Sequence, residues 1–277
     1  MKEIKYEKLT LLLNGSETAY SVVACEKDAV EVTIPKSVDG IPVTDIGESA
    51  FEDCISLRSV IFPKYPYAED DVQALIDYDV LKEIGEYAFS GCTSLLSVDI
   101  PCTVTSIGRG AFHSCSSLQR ARFREDIFVG SYAFYRCKSL TDVTPVTDIN
   151  EGTFSFCESL AYFPVAKGTE DILEDAFEHC YALENIVIPA SVKRIEQLAF
   201  RNCRGLKTVT FEDGEDWYVR LRYTSVEDKK LNLSAPEKNA YWLAWMDFDD
   251  GVELWYKKGA VAKREDLDDL LDKFLND

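Results

Sequence analysis

The sequence predicts a repeat solenoid, a coil of short β-strands and short helical turns, and two observations carry that expectation. The first is a Phe-x-x-Cys-x-x-Leu triplet that recurs seven times. Its cysteines stand at 54, 92, 115, 137, 157, 180 and 203, with spacings of 38, 23, 22, 20, 23 and 23 residues. A period of about 20–50 residues marks units that stack side by side. The second is a short alternating run after each Leu, such as Ser97-Val98-Asp99-Ile100-Pro101 and Asn185-Ile186-Val187-Ile188-Pro189.

Each element of the unit has a physical reading. Alternation at period two is a strand with one buried face, and Pro stops it because it has no N–H for the ladder. A second short strand follows, as in Val104-Thr105-Ser106-Ile107 or Val192-Lys193-Arg194-Ile195. An Ile-Gly-x-x-Ala step then leads into the Phe, at Ile46-Gly47 to Ala50, Ile84-Gly85 to Ala88 and Ile107-Gly108 to Ala111. The Gly is expected to permit a tight turn. The Ala-Phe-x-x-Cys-x-x-Leu segment has i, i+3 spacing, which suits one or two turns of 3₁₀- or α-helix. Stacked at about 4.8 Å per strand, the seven Phe side chains would form one interior column. No unit can bury its own apolar face, so stability is shared between neighbours.

The assembled pattern, Ile-Gly-x-x-Ala-Phe-x-x-Cys-x-x-Leu-x-x-Val-x-Ile-Pro, resembles the BspA-like leucine-rich repeat family over residues 29–211. The resemblance implies a curved leucine-rich-repeat-type stack. It also implies a bacterial surface or secreted protein that binds proteins or cell surfaces. Asn150, Leu173 and Glu196 stand where the pattern has Gly, and the third unit lacks the strand-ending Pro. These units are expected to turn less tightly.

Residues 1–28 are expected to cap the first turn of the coil. Asn14-Gly15, between Leu11-Leu12-Leu13 and Tyr20-Ser21-Val22-Val23, is a hairpin signal. The long first spacing places an insertion at 64–79, a surface segment of the kind that can sit beside a binding face. Residues 212–277 form an acidic C-terminal region that holds all four tryptophans, Trp217, Trp242, Trp245 and Trp255. It reads as a strand at 217–223, a helix from Ser234 to Trp245, a strand at 252–256 and a last helix striped by Leu267, Leu270, Leu271, Phe274 and Leu275. The expected role of this α+β region is to cover the open edge of the last turn, with an exposed Trp cluster that binds or dimerises as the sharper alternative.

The charge is −19 over 277 residues, which disfavours nucleic acid and anionic membrane surfaces as partners. No segment reaches the ~18 apolar residues of a membrane span. The apolar run Leu9–Leu13 is shorter than a secretory core of roughly 7–15 residues, and nine cysteines do not make a closed disulfide set. Both point to a cytoplasmic location, with the family's cell-surface or secreted location as the alternative.

Catalytic signals are weak. His113 and His179 read as exposed loop residues, the column cysteines as small core hydrophobes, and no Cys-x-x-Cys suggests zinc. The acidic clusters Glu69-Asp70-Asp71 and Asp247-Asp249-Asp250 lack an EF-hand's spaced ligands. The expectation is a non-catalytic, monomeric binding protein with no cofactor and no metal. Its partner is a protein or, in an adhesin-like role, host or matrix protein or glycan. Arg120, Arg122, Asp142 and Tyr162, at outward strand positions in the middle of the stack, are the candidate contacts, since Arg and Tyr are favoured binding anchors.

Overall fold

The computed structural model describes residues 3–64, 80–214, 216–221, 229–230, 236–245 and 252–257. Each turn of the coil, or rung, has three sides: two short parallel strands and an arc of tandem turns that carries the Phe-x-x-Cys-x-x-Leu segment. The first strand of the rung builds one sheet in the order β13(Asp142–Val143)–β11(Arg120–Arg122)–β9(Ser97–Asp99)–β7(Ser59–Ile61)–β4(Glu31–Thr33). Beyond β13 the ladder is interrupted among the described residues, and the bridge Tyr162–Asn185 with the separate pair β15(Asn185–Ile188)–β17(Thr208–Phe211) resumes the same side of the coil. The second strand builds the other sheet through β6(Ile41–Ile46), β8(Glu83–Ile84), β10(Ser106–Ile107) and β12(Phe128–Val129), with a side pair from β5(Ser37–Val38) to β6. The bridge Ile149–Ile172 leads on to β14(Asp171–Ile172) and β16(Arg194–Glu196).

The interior follows the repeat. All seven Phe rings of the triplets are fully buried. They stack in one column from Phe51 to Phe200 with neighbouring centroids 4.6, 5.2, 5.4, 5.7, 5.5 and 5.2 Å apart. The column cysteines are more than space-fillers. From the second rung on, each thiol donates to the carbonyl of the preceding rung's Phe, as in Cys92 Sγ to Phe51 O at 3.1 Å and Cys203 Sγ to Phe177 O at 3.0 Å. That carbonyl also accepts the backbone N–H three residues on, for example Cys54 N to Phe51 O at 3.0 Å, so both of its lone pairs are used.

The helical expectation for this segment is modified. The i→i+3 bonds are present, but the residues two before and two after each Phe adopt positive φ, such as Tyr132 (58°) and Arg136 (59°) around Phe134. A left-handed residue every fourth position breaks a helix into separate turns. The N–H groups of these two residues and of the Phe between them then point along the coil and bond the next rung. For Phe112 the acceptor is Ala133 O at 2.8 Å, and for Ser114 it is Tyr135 O at 2.7 Å.

The glycines before the arc serve a different purpose from the one expected. Gly85, Gly108 and Gly130 are not in the left-handed region. A Cβ at Gly108 would lie 2.6 Å from Glu86 N and 2.7 Å from Gly85 C, so glycine here allows the backbones of successive rungs to approach. Nor does Asn150 loosen its rung: its side-chain Nδ2 donates to Val129 O at 2.7 Å. That replaces the backbone bond that Gly130 N makes to Ile107 O at 2.8 Å one rung earlier.

The coil's N-terminal edge is covered by an antiparallel meander, β1(Glu3–Tyr6), β2(Leu9–Leu13) and β3(Tyr20–Cys25), whose last strand pairs in parallel with β6. The hairpin expected at Asn14-Gly15 is there, its loop closed by Thr18 N donating to Asn14 Oδ1 at 2.9 Å; the first hairpin, β1–β2, has no turn signature of its own in the sequence. At the far end, β18(Trp217–Leu221), with β19(Lys229–Lys230), and β20(Val252–Lys257) join the second sheet, and α1(Pro236–Trp245) packs on β17. Asn202 N, the outward-pointing arc donor of the last rung, finds Ala244 O of this helix at 3.0 Å. Trp217 and Trp255 are buried. Most of the insertion (65–79), the helix start at Ser234, the last helix and both acidic clusters lie outside the described residues.

Two measurements check this packing. Phe134→Ala, in the middle of the ring column, should lower unfolding free energy by ~3–5 kcal/mol, read as a denaturant midpoint shift; an unchanged midpoint would show the column is not a shared core. In the native protein a thiol-specific reagent should label Cys102, which is partly accessible, well before the eight buried cysteines, because burial also holds thiols such as Cys115 and Cys137 in the protonated form.

Candidate functional site

Two surfaces run along the coil. The strand face carries the residues anticipated from sequence. Arg120 lies in register with Ser97 and Asp142, and Arg122 lies opposite Asp99. Their charges are neutralised along the sheet: Arg120 Nη2 reaches Asp99 Oδ2 at 3.1 Å, and Arg122 pairs with Asp142. All four side chains in these pairs are well exposed, so the pairs contribute little to stability. The structure therefore unites Arg120, Arg122 and Asp142 in one ion-paired cluster. Tyr162 stands at the equivalent position one rung beyond Asp142 and is 65% exposed. Ile61 and Val187 on the same side of the coil are also exposed.

The second surface is the outer side of the arc, and sequence reasoning missed it. Side chains pushed outward by the left-handed positions and their neighbours stack into a ribbon along the coil. His113 stacks on Tyr135 with centroids 4.9 Å apart, and Phe156 on His179 at 4.2 Å; Tyr135 and Phe156 meet edge-on at 5.5 Å. Arginines lie on these rings, Arg109 over Tyr132 at 4.7 Å and Arg136 over Tyr135 at 5.2 Å. The histidines are thus not free loop residues as expected. Both are half-buried, His179 Nδ1 is 2.8 Å from Tyr181 Oη, and burial lowers the pKa of each, which leaves them neutral at pH 7.

The signal for this ribbon is in the sequence, two residues before each Phe, where Tyr87, Gly110, Tyr132 and Gly152 alternate. A Cβ on Gly110 would fall 2.4 Å from the Tyr87 ring, and one on Gly152 2.4 Å from the Tyr132 ring. Each tyrosine lies flat over the glycine of the next rung.

Between these rings the surface dips into a groove of about 420 Å³ lined by Tyr87, Arg109, His113, Tyr132, Tyr135, Ser155, Asp175 and Glu178. Glu178 is buried and satisfied by Arg201, at 2.6 Å from Nε, and by Ser155 Oγ at 3.3 Å. Tyr132 Oη donates to Glu151. Asp175 differs: its Oδ1 is buried and receives no hydrogen bond from the described residues. Burial, reinforced by Glu178 and Glu174, pushes its carboxyl up to about 7.

A coil of short parallel strands closed by tandem turns, with a repeated apolar column inside, defines the leucine-rich repeat class of protein. Six copies of the BspA type leucine rich repeat region match across residues 24–144, 67–183 and 129–216, and the chain belongs to that family. Its fold is similar to that of a leucine-rich repeat protein from T. pallidum, 26% identical over 74% of this chain and 91% of that one, with a TM-score of 0.60. A leucine-rich repeat protein from Bacteroides ovatus is 22% identical over 75% of this chain and 70% of that one, with a TM-score of 0.47. No curated protein matches the chain.

The raised Asp175 pKa has a measurable consequence. The folded state holds a proton on this carboxyl up to about pH 7, whereas an unfolded Asp releases it near 3.9. The stability it contributes is complete below the unfolded value and is lost as pH rises through about 7. Asp175→Asn keeps a residue that tolerates positive φ and removes the titration. It should melt above wild type at pH 8, with the difference shrinking toward pH 5; equal melting temperatures at both pH values would contradict the assignment.

Proposed function

We propose that the protein is a non-catalytic interaction protein that binds a protein partner through the strand face centred on Arg120, Arg122, Asp142 and Tyr162. The observation that carries this reading is a row of short parallel strands along one side of the coil, backbone-paired from Glu31–Thr33 to Asp142–Val143 and again from Tyr162 to Thr208–Phe211. It offers only side chains to a ligand and holds them at fixed spacing. Solenoids use such extended surfaces for binding, and an exposed Tyr beside arginines is the composition of binding anchors. The thiols and histidines are engaged in packing and hydrogen bonding, which favours binding over catalysis. A metal-binding group of His, Cys, Asp and Glu does not occur among the described residues.

A surface or secreted location is the reading the family favours, in place of the cytoplasmic one. The buried thiols remove one argument for a reducing compartment, because each of the column cysteines from Cys92 onward has a structural hydrogen-bonding role. Recognition of host or matrix protein or glycan is the narrower form of this function.

The test is capture of partners from extracellular material and, separately, from a lysate of the source cell, followed by affinity measurement with the Arg120→Ala/Arg122→Ala double variant. Affinity should fall by more than ~1 kcal/mol, with stability changed by no more than ~0.5 kcal/mol. A partner whose affinity ignores the double change would remove the strand face from the binding site.

A further inference from the structure

We propose that the groove on the turn arc receives a lysine or arginine side chain presented by a basic protein partner, with Asp175 as its counter-charge. This rests on the protein-binding reading and assigns a second contact on a different side of the coil.

Three independent observations point to a cation. The groove's walls are rings of the kind whose faces attract cations, and they already hold them: Arg109 rests on Tyr132 at 4.7 Å and Arg136 on Tyr135 at 5.2 Å. At the inner end, Asp175 Oδ1 is buried without a hydrogen-bond donor among the described residues, while its neighbour Glu178 is already paired with Arg201. A buried acceptor left unmade is costly, and an ammonium or guanidinium group supplies the missing donors. The local field agrees. Asp175 is faced by Glu174 and Glu178 from its own rung, by Glu151 and Tyr132 from rungs before it, and by Arg201 from the rung after. Counting also Arg109, which lines the groove, and Arg136, which rests on Tyr135, the four carboxylates Glu151, Glu174, Asp175 and Glu178 still outnumber the three arginines, and the whole chain carries −19. An anionic guest would meet all of them.

The form of the guest follows from the backbone. The arc's outward-pointing N–H groups are spent on the next rung, as in Phe134 N to Thr153 O at 2.9 Å and Arg136 N to Ser155 O at 2.9 Å. An added strand has nothing to pair with, so the groove reads a side chain rather than an extended main chain.

The probe is the peptide acetyl-Gly-Lys-Gly-Lys-Gly-amide, titrated into the full-length protein and followed by calorimetry and tyrosine fluorescence. Saturable binding is expected at pH 8, weakening roughly tenfold by pH 5.5 as Asp175 takes up its proton, and abolished when both lysines are Nε-acetylated. Asp175→Asn should lose at least tenfold in affinity. Because this variant is expected to be the more stable at pH 8, unfolding would not explain the loss. Glu125→Gln, an exposed site making the same change in net charge, should bind as wild type. Equal losses in both variants would reduce the effect to bulk charge and overturn the proposal. So would no binding, or binding of a neutral disaccharide such as lactose in place of the lysine peptide. If the peptide fails while a partner captured on the strand face still depends on Arg120 and Arg122, only the groove assignment falls.

Discussion

The structure depends on one constraint: the arc of each rung must satisfy its backbone without forming a helix. A helix would bond N–H to C=O within the segment and leave nothing to join one rung to the next. The left-handed residues on either side of each Phe turn alternate N–H groups along the coil axis, and the ladder they make to the next rung is as regular as the one between strands. Non-glycine left-handed residues are individually unfavourable by roughly 1–2 kcal/mol, and they recur here because each one gains an inter-rung bond. The Phe carbonyl is the point where the two networks cross. It accepts one bond from its own turn and one from the thiol of the following rung. A serine would bring a strong donor and a hydration demand into an apolar column. Alanine would leave the second lone pair bare. Cysteine is small, apolar and a weak donor, which accounts for its recurrence better than volume alone.

Much of this coil was legible from a single sequence because its period repeats every constraint. The buried Phe, Cys and Leu of all seven triplets, the strand positions and the hairpin at Asn14 follow from spacing and alternation. Three features were not. Spacing of i, i+3 predicts a helix for the arc, but that spacing is shared by a helix and by tandem turns. Only residues such as Tyr132, Arg136 and His179 in the left-handed region separate the two, and they carry no strong sequence signature. The column of Gly85, Gly108 and Gly130 was assigned to turn conformation, whereas the contact it permits is with a rung about 20 residues away. Asn150 in place of Gly predicts a less tight turn, whereas its amide side chain stands in for a backbone N–H by reaching the same carbonyl.

The two surfaces divide in the same way. Outward strand residues are found by alternation, so Arg120, Arg122, Asp142 and Tyr162 could be placed on one face. That the arginines are neutralised by Asp99 and Asp142 depends on register between rungs, which the period alone does not give. The aromatic ribbon is harder to read. Its members come from different offsets to the Phe: Tyr132 two before, Tyr135 one after, Phe156 and His179 two after. Each stacked pair shares an offset, His113 with Tyr135 one after the Phe and Phe156 with His179 two after, but the offset changes along the coil, so no single column of the sequence runs through them all.

These differences bear on how the two faces can act. On the strand face Arg120 and Arg122 are already paired with carboxylates of adjacent rungs, so a ligand must displace exposed ion pairs that are individually weak. Such a surface yields readily to a large partner that supplies many contacts at once. The arc groove is the opposite case. Its rings hold one another, and Tyr87 and Tyr132 lie over glycines of the next rung. Asp175 Oδ1 has no donor among the described residues, and the residue sits in the left-handed region with its carbonyl bonded by Glu178 N. A preformed site of that kind binds with little loss of conformational freedom, so it can select a single side chain. A stacked repeat can therefore carry a broad, adaptable surface and a narrow, selective one on different sides of the same coil. Variation at outward positions changes either without disturbing the Phe and Cys columns that hold the rungs together.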